Sequence, residues 1–484
     1  MNEIVSAGVD RARRAQADWA GRAVRERLRV VSELRHRIAA EVERLVTAVG
    51  QEWRRSEGET LAAEVLPLAE ACRFLERKAR SILSPRRLGR RPGPPPVGGV
   101  EAEVRREPWG LVLVIGPGNF PLFLPGVQAL QALTAGNAVL LKPGKNGAPA
   151  AAALADLCAD AGLPNGLLTV LDESVEAAKH AIEAGVEKVI LTGSAETGRA
   201  VLAELAPRLV PAVMELGGSD AVFVMEGADL ELVARAVRFG LRLNGGATCI
   251  APRRILAWRA VAGELEQRLS RAVGQLEESA VEERAADRAR ELVEEALSDG
   301  ARIAAGDLLT GGRMKPVLVA DVRPKMGLAR TDVFAPVASL VRVGGVAEAL
   351  RADAECPYAL GASVFGPRGP ARMLARRIGA GVVVVNDIIA PTADARLPFG
   401  GWDESGFGVT RGTEGLLQMT RPKVVAVARS RFRPHLTKPG PGDERMLRSL
   451  ITARHGRGLR ERAAAAWRLL RGWIKRDRGR EQQA

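Results

Sequence analysis

Cysteine and histidine are scarce in this chain, with four of each in 484 residues. The cysteines, Cys72, Cys158, Cys249 and Cys356, lie far apart and form no Cys-x-x-Cys pair, so neither a disulfide framework nor a thiolate zinc site is indicated. His36, His180, His435 and His455 join no group of carboxylates or cysteines, which argues against a metalloenzyme. No apolar run approaches the roughly 18 residues that a membrane span requires. The opening segment, MNEIVSAGVDRARRAQADW, has none of the apolar core of a secretion signal, and a cytoplasmic location is the resulting expectation.

Acidic residues are also in deficit, leaving a net charge of +14, but the excess is local. From Arg429 onward there are sixteen Lys and Arg against five Asp and Glu, a surplus of +11 that leaves about +3 for everything before it. The basicity therefore belongs to a tail, and a nucleic-acid role for the body is not indicated.

What is present is ordinary globular material, too long for a single core, so two large domains are expected. Residues 8–83 read as charged amphipathic helices, closed by the helix-breaking loop SPRRLGRRPGPPPVGG. Beyond it, short apolar runs (GLVLVIGP, AVLLKPG, KVILTGS) alternate with Ala-rich helical stretches, the pattern of an α/β fold with a doubly wound parallel sheet. A second α/β stretch opens near residue 215 and includes the strand candidates ASLVRV and GVVVVND. In an open parallel sheet, ligands gather beyond the carboxyl ends of the strands, which singles out the loops GPGNFP, KPGKNG and TGSAETG. Taken alone, TGSAETGR reads equally well as a helix start capped by Ser194, although such a start also offers N–H groups to phosphate.

In combination the segments are far more specific. EPWGLVLVIGPGNFPL, AGNAVLLKPGK, VILTGSAETG, MELGGSDAVFV, NGGATCIAPRRI, DVFAPV and LPFGGWDESGFG occur in an order and at separations that resemble the aldehyde dehydrogenase superfamily over roughly residues 10–428. The resemblance implies two Rossmann-like α/β domains and a small β arm through which subunits pair, as a homodimer or homotetramer. The expected boundaries are 1–93 for the N-terminal helical part of the cofactor domain and 94–214 for its Rossmann-like part, with an arm strand near 98–107. The catalytic domain then spans 215–418, a second arm strand 419–429, and a basic linker and amphipathic tail 430–484.

The resemblance also assigns roles. Cys249 matches the nucleophile, and a thiol suits the task because an aldehyde has no leaving group. A thiolate adds to give a hemithioacetal that can expel hydride and leave a thioester. Glu215 matches the general base that activates water for thioester hydrolysis, and it separates the chain from acyl-CoA-forming relatives. Asn119 matches the side-chain donor of the oxyanion hole, the second donor being the Cys249 backbone N–H. Gly118 stands where the family places an aromatic. The implied cofactor is NAD or NADP, lined by Pro117 and Leu216, with Lys142 at the adenosine ribose and Gly193 and Ser194 beside the pyrophosphate. Lys145 stands where NAD-preferring relatives often place a glutamate, and a cation there would welcome a 2′-phosphate. Asp332 replaces the family's glutamate at the nicotinamide ribose, one methylene shorter, and Phe334 either packs on the nicotinamide or belongs to the core.

The final helix, roughly 457–476, sets Leu459, Ala463, Trp467, Leu470, Trp473 and Ile474 on one stripe among basic residues. It fits either an anionic membrane surface, reached through residues 444–484, or a helix docked on a subunit neighbour. The implied function is oxidation of an aldehyde to a carboxylic acid. The alternatives are an acylating dehydrogenase or reductase of the same superfamily, or a catalytically silent scaffold that binds membrane or protein through its tail.

Overall fold

The computed structural model describes residues 2–50, 55–88, 100–308, 313–428, 434–436, 438, 440 and 442–481. Most of the Pro/Gly-rich loop after residue 84, and most of the irregular segment 429–443 with which the expected linker and tail begin, lie outside the described residues. The chain divides into two compact units, one of residues 1–84 and 106–422, the other of 85–105 and 423–484.

The larger unit carries two large sheets and two short two-stranded ones. The first has six strands in the spatial order Gly406–Phe407, Ala212–Glu215, Lys188–Thr192, Leu111–Ile115, Ala138–Lys142, Leu168–Val170. All neighbours are parallel except the Gly406–Phe407 edge, which pairs antiparallel with Ala212–Glu215. Leu111–Ile115 is buried at every position, as a strand covered by helices on both faces must be. The chain winds outward from it in both directions, so its carboxyl end is the topological switch point where an open α/β sheet leaves a crevice.

The helices that cover this sheet begin and end on local chemistry. Ser194 caps Ala195–Leu205 by accepting from Thr197 N at 3.1 Å, Pro149 occupies the first turn of Ala148–Asp160, and Gly136 closes Phe123–Ala135 in the left-handed region. The N-terminal helices pack on the same core. Trp19 is buried and donates from Nε1 to Leu133 O at 2.7 Å, and buried Arg27 donates to Thr134 O at 3.0 Å.

The second sheet runs Arg302–Ala305, Val317–Ala320, Val337–Val343, Pro252–Trp258, Asp220–Val224, Gly361–Phe365, Val382–Val385, again parallel apart from its first pair. Its apolar residues form separate clusters on the two faces, while the cluster of the first sheet ends at Leu216 and resumes only at Leu416 and Met419. The smaller unit holds an arm sheet of Arg86–Arg87, Val100–Pro108 and Thr420–Ala428, and a helical pair, Asp443–His455 and Leu459–Glu481. The last helix therefore extends past the 457–476 read from its apolar stripe.

Candidate active site

The loops at the carboxyl ends of the first sheet meet the loops at the amino ends of the second. From the first come Gly116–Asn119, Lys142–Lys145, Gly193–Ser194 and the end of Ala212–Glu215. From the second come Gly217–Ser219, leading into Asp220–Val224, and Asn244–Ala251, leading into Pro252–Trp258. The approach is close enough to demand glycine. A Cβ on Gly144 would lie 2.2 Å from the carbonyl carbon of Pro117, and one on Gly218 would lie 2.6 Å from Cys249 O.

Glu215 ends its strand almost wholly buried. Its Oε2 accepts from Gln128 Nε2 at 3.2 Å and from Thr192 Oγ1 at 3.1 Å, and its Oε1 accepts from Thr410 Oγ1. Burial pushes this carboxyl up, while the Arg411 guanidinium and the three donors oppose the rise. Its backbone is fixed as well, because Gly193 N donates to Glu215 O at 3.0 Å and Leu216 N to Ser405 O at 3.1 Å.

Cys249 sits in a turn after three residues, Asn244, Gly245 and Gly246, that are all at positive φ. It is only partly buried, unlike Cys72, Cys158 and Cys356. Burial of the sulfur, with the carboxyls of Asp220, Glu215 and Asp332 nearby, pushes its thiol up to about 12, and Arg411 opposes this. The resting side chain is therefore a neutral thiol that needs a base to become a nucleophile.

Asn119 is buried opposite this turn, where its Nδ2 donates to Ala247 O at 2.9 Å. An amide carries two such hydrogens, so one stays available for an oxyanion. Its backbone carbonyl accepts from Arg55 Nη2 at 2.9 Å and Asn244 Nδ2 at 3.0 Å. Arg55 in turn forms a fully buried pair with Glu64 at 2.9 Å, and Glu64 accepts from the backbone N–H of Leu122 and Phe123. Glu64 lies in a π-helical stretch, Leu61–Val65, an irregularity that often marks functional sites.

Among the expected cofactor residues, Pro117, Lys142, Gly193, Ser194 and Leu216 flank the crevice of the first sheet. Lys142 is partly buried and its amine is pulled down by desolvation against the carboxylates of Glu173 and Asp172. Lys145 is exposed and pairs with Glu282 at 3.2 Å. Asp332 turns toward Gly217, where its Oδ2 would lie 2.3 Å from an added Cβ, and Oδ1 accepts from Phe334 N at 3.2 Å. Burial pushes Asp332 up to about 6 against the opposing Arg253 charge. Phe334 itself holds φ at +48°, an uncommon conformation for a bulky residue.

Sequence reasoning missed Gln128, Thr192, Thr410, Arg411, Asn244, Arg253 and the Arg55–Glu64 pair. The one local signal among them is Asn244, the residue before two glycines in a left-handed turn. Arg253 donates through both terminal nitrogens to the carbonyls of Gly246 and Ala335, tying the cysteine turn to the segment that carries Asp332.

A model of the aldehyde dehydrogenase family matches residues 2–425. A 4,4'-diapolycopene aldehyde oxidase of Methylomonas sp is 30% identical over 89% of this chain and 82% of its own length. An NADP-dependent glyceraldehyde-3-phosphate dehydrogenase from Bacillus halodurans C-125, complexed with NADP, superposes with a TM-score of 0.80 at 27% identity, over 89% of this chain and 92% of that one. A Mycobacterium tuberculosis aldehyde dehydrogenase complexed with NAD+ gives 0.80 at 26% identity, over 88% and 90% of the two chains.

Alkylation offers a direct check on the raised thiol. Iodoacetamide should label Cys249 ahead of the three buried cysteines. The rate should climb about tenfold per pH unit from 7 to 10, since only the thiolate reacts and its pKa lies above that range. A plateau near pH 9 would show an ordinary thiol instead.

Proposed function

Because the chain belongs to the aldehyde dehydrogenase family, we propose that it oxidises an aldehyde to a carboxylic acid, with NAD or NADP as hydride acceptor, through a thioester on Cys249. The observation that carries this reading is the convergence of three side chains from distant parts of the sequence. A part-open thiol, a buried carboxylate and a buried amide donor meet where the two sheets face each other. Glu215 accepts the Cys249 proton as sulfur adds to the carbonyl carbon, and the Asn119 amide and the Cys249 backbone N–H stabilise the resulting oxyanion. The bound nucleotide supplies the acceptor for the hydride that leaves this adduct. Once the thioester has formed, Glu215 gives that proton up to solvent and, ionised again, takes one from water; the hydroxide attacks the thioester, and the carboxylic acid departs as the sulfur is released and reprotonated by Glu215.

The residues present fit a dinucleotide. The helix Ala195–Leu205 starts at the switch-point crevice, Gly144 lets two loops close together, and partly buried Lys142 presents a cation there. Lys145 is committed only to an exposed ion pair, and such pairs contribute about 0–1 kcal/mol, so a 2′-phosphate could compete with Glu282 for it.

Two further proposals concern assembly. Thr420–Ala428 is the outer strand of the arm sheet, with Val424, Val425 and Val427 exposed, an edge suited to pairing with a second copy in a homodimer or homotetramer. The C-terminal helices pack on each other through buried Ala465 and the Met446–Gly472 approach, leaving Leu447, Ile451, Leu459, Trp467 and Leu470 exposed in a strongly basic segment. We assign them to an anionic membrane surface, which basic residues reach at about 1 kcal/mol each and apolar side chains enter. Among the described residues no helix is long and apolar enough to cross a membrane, and the Trp473 and Ile474 side chains of the expected stripe lie outside the described residues.

Glu215→Gln should slow both the pre-steady-state burst of reduced nucleotide and turnover, because one carboxylate takes the Cys249 proton and activates water, while Cys249→Ala gives neither burst nor turnover. A glutamine variant at wild-type rate removes Glu215 from hydrolysis. Lys145→Glu should lower kcat/KM for NADP relative to NAD by about tenfold or more, the scale of a charge-assisted contact. An unchanged ratio places Lys145 away from the ribose. A chain ending at Gly442 should retain kcat on a short soluble aldehyde yet stop co-sedimenting with anionic vesicles. If full-length protein ignores vesicles and truncation instead breaks the oligomer, the helices clasp a subunit.

A further inference from the structure

Arg411 lies in the run VTRGTEG, one residue beyond Thr410, and is 5% exposed. Its backbone has φ +60°, where a side chain is disfavoured, and both flanks of that conformation are held by one amide. Arg411 N donates to Gln131 Oε1 at 3.1 Å, and Gln131 Nε2 donates to Gly412 O at 3.2 Å. The guanidinium lies over the Phe399 ring at 4.3 Å and the Phe123 ring at 5.6 Å. Nη1 donates to Thr392 O at 2.7 Å, while Nε is buried without a partner among the described residues. Beside it is a small, largely enclosed cavity lined by Phe74, Phe123, Val127 and Ala395.

A cation in this place is expensive. Burial in an aromatic and apolar cage disfavours its charge, and no carboxylate lies within ion-pair distance among the described residues. Leucine or methionine would fill the same space without that cost. The charge therefore answers something other than packing, and the groups it faces are Glu215 and Cys249.

We propose that Arg411 is a positioning residue for the Glu215 base, a clamped guanidinium that holds this carboxylate anionic and in place beside the Cys249 thiol. The proposal rests on the reading of Glu215 as the base. The strand Gly406–Phe407, whose Gly406 pairs with Glu215, brings no titratable side chain. The helix Phe123–Ala135 contributes neutral Gln128, the strand Lys188–Thr192 contributes neutral Thr192, the segment from Gly408 contributes Thr410 and Arg411, and the cysteine turn contributes Cys249. Arg411 is thus the cation of the set. Asp220 and Asp332, which face Cys249, are carboxyls that carry no positive charge and cannot substitute for it. Thr410 and Arg411 are consecutive, so the backbone that delivers a hydrogen bond to Oε1 also delivers the charge. The strained conformation at Arg411 is what lets neighbouring residues serve the same carboxylate.

The test is the pH profile of turnover on a short soluble aldehyde, measured with burst amplitude for wild type, Arg411→Met, Arg411→Gln and Arg411→Lys. Loss of the cation raises the Glu215 pKa, so the rising limb should move to higher pH by about one unit or more in a folded neutral variant. On the acidic side of the limb turnover should then fall by about tenfold, the change in ionised fraction that one unit corresponds to below the pKa. The burst should persist, and lysine should return the limb to near its wild-type position. A neutral variant with wild-type burst amplitude and an unmoved limb overturns the proposal, as does a loss of turnover that follows only the fraction of folded protein by burst titration. Glu215→Gln run in parallel separates the two failures. If it hydrolyses the thioester at the wild-type rate, the base reading itself is lost. If it stalls while the neutral Arg411 variants keep their limb, only the role of Arg411 is lost.

Discussion

A carboxylate removed from water must be held by donors, and in this fold the donors of Glu215 bind the molecule together. Helix, strand and C-terminal loop each contribute one, through Gln128, Thr192 and Thr410. The loop arrives because Gly406 pairs with Glu215 across an antiparallel register that only glycine permits. Gly406 has φ +98°, and a Cβ there would lie 2.0 Å from Met214 O. From the same loop, Ser405 Oγ donates to Gly217 O at 2.7 Å and accepts from Ala359 N at 3.0 Å, which ties the start of the second sheet to the end of the first. A shift of Glu215 would be felt at Gly218 and so at Cys249. Base and nucleophile are held by one set of contacts.

Much of this was legible in the sequence, for a physical reason. Where backbones approach within van der Waals distance the chain must carry glycine, and where strands are covered on both faces it must carry unbroken apolar runs. Both mark the residue string directly. Gly144, Gly217, Gly218 and Gly406 are such marks, as are LVLVI and KVILT, and together they place the loops of the crevice. Cys249, Glu215 and Asn119 fall inside those marked segments and were found with them. The NGG before the cysteine turn likewise announces its left-handed backbone.

The polar residues that support the site carry no such mark. Glu64 sits in an amphipathic helical sequence that reads as solvent-facing, and its burial follows from Arg55 and from N–H groups almost sixty positions away. Arg411, before Gly412 and Glu414, reads as the first turn of a surface helix, yet its guanidinium ends between two aromatic rings. In both cases burial is decided by partners that topology, not local pattern, brings near. The tail shows the converse. Its charge and apolar spacing were plain in the sequence, while the pairing of its two helices, which decides the exposed face, depends on a contact between Met446 and Gly472 that spacing does not announce.

The buried charges of the cleft explain why the base must stand where it does. Burial pushes Asp220 up to about 8, so at neutral pH this carboxyl keeps its proton, whereas Asp332, at about 6, is mostly ionised. Burial lowers Arg253 and Arg411, but a guanidinium is not deprotonated in proteins, so both count as cations. With Glu215 ionised and Cys249 protonated, two cations face two anions and the cleft is close to neutral. Sending the thiol proton out to water would add an uncompensated anion to a desolvated space, which is costly. Passing it to Glu215 replaces a carboxylate by a thiolate and leaves the total unchanged. Neutrality therefore requires a proton acceptor inside the same buried set, and a cation beside that acceptor keeps it ready to receive.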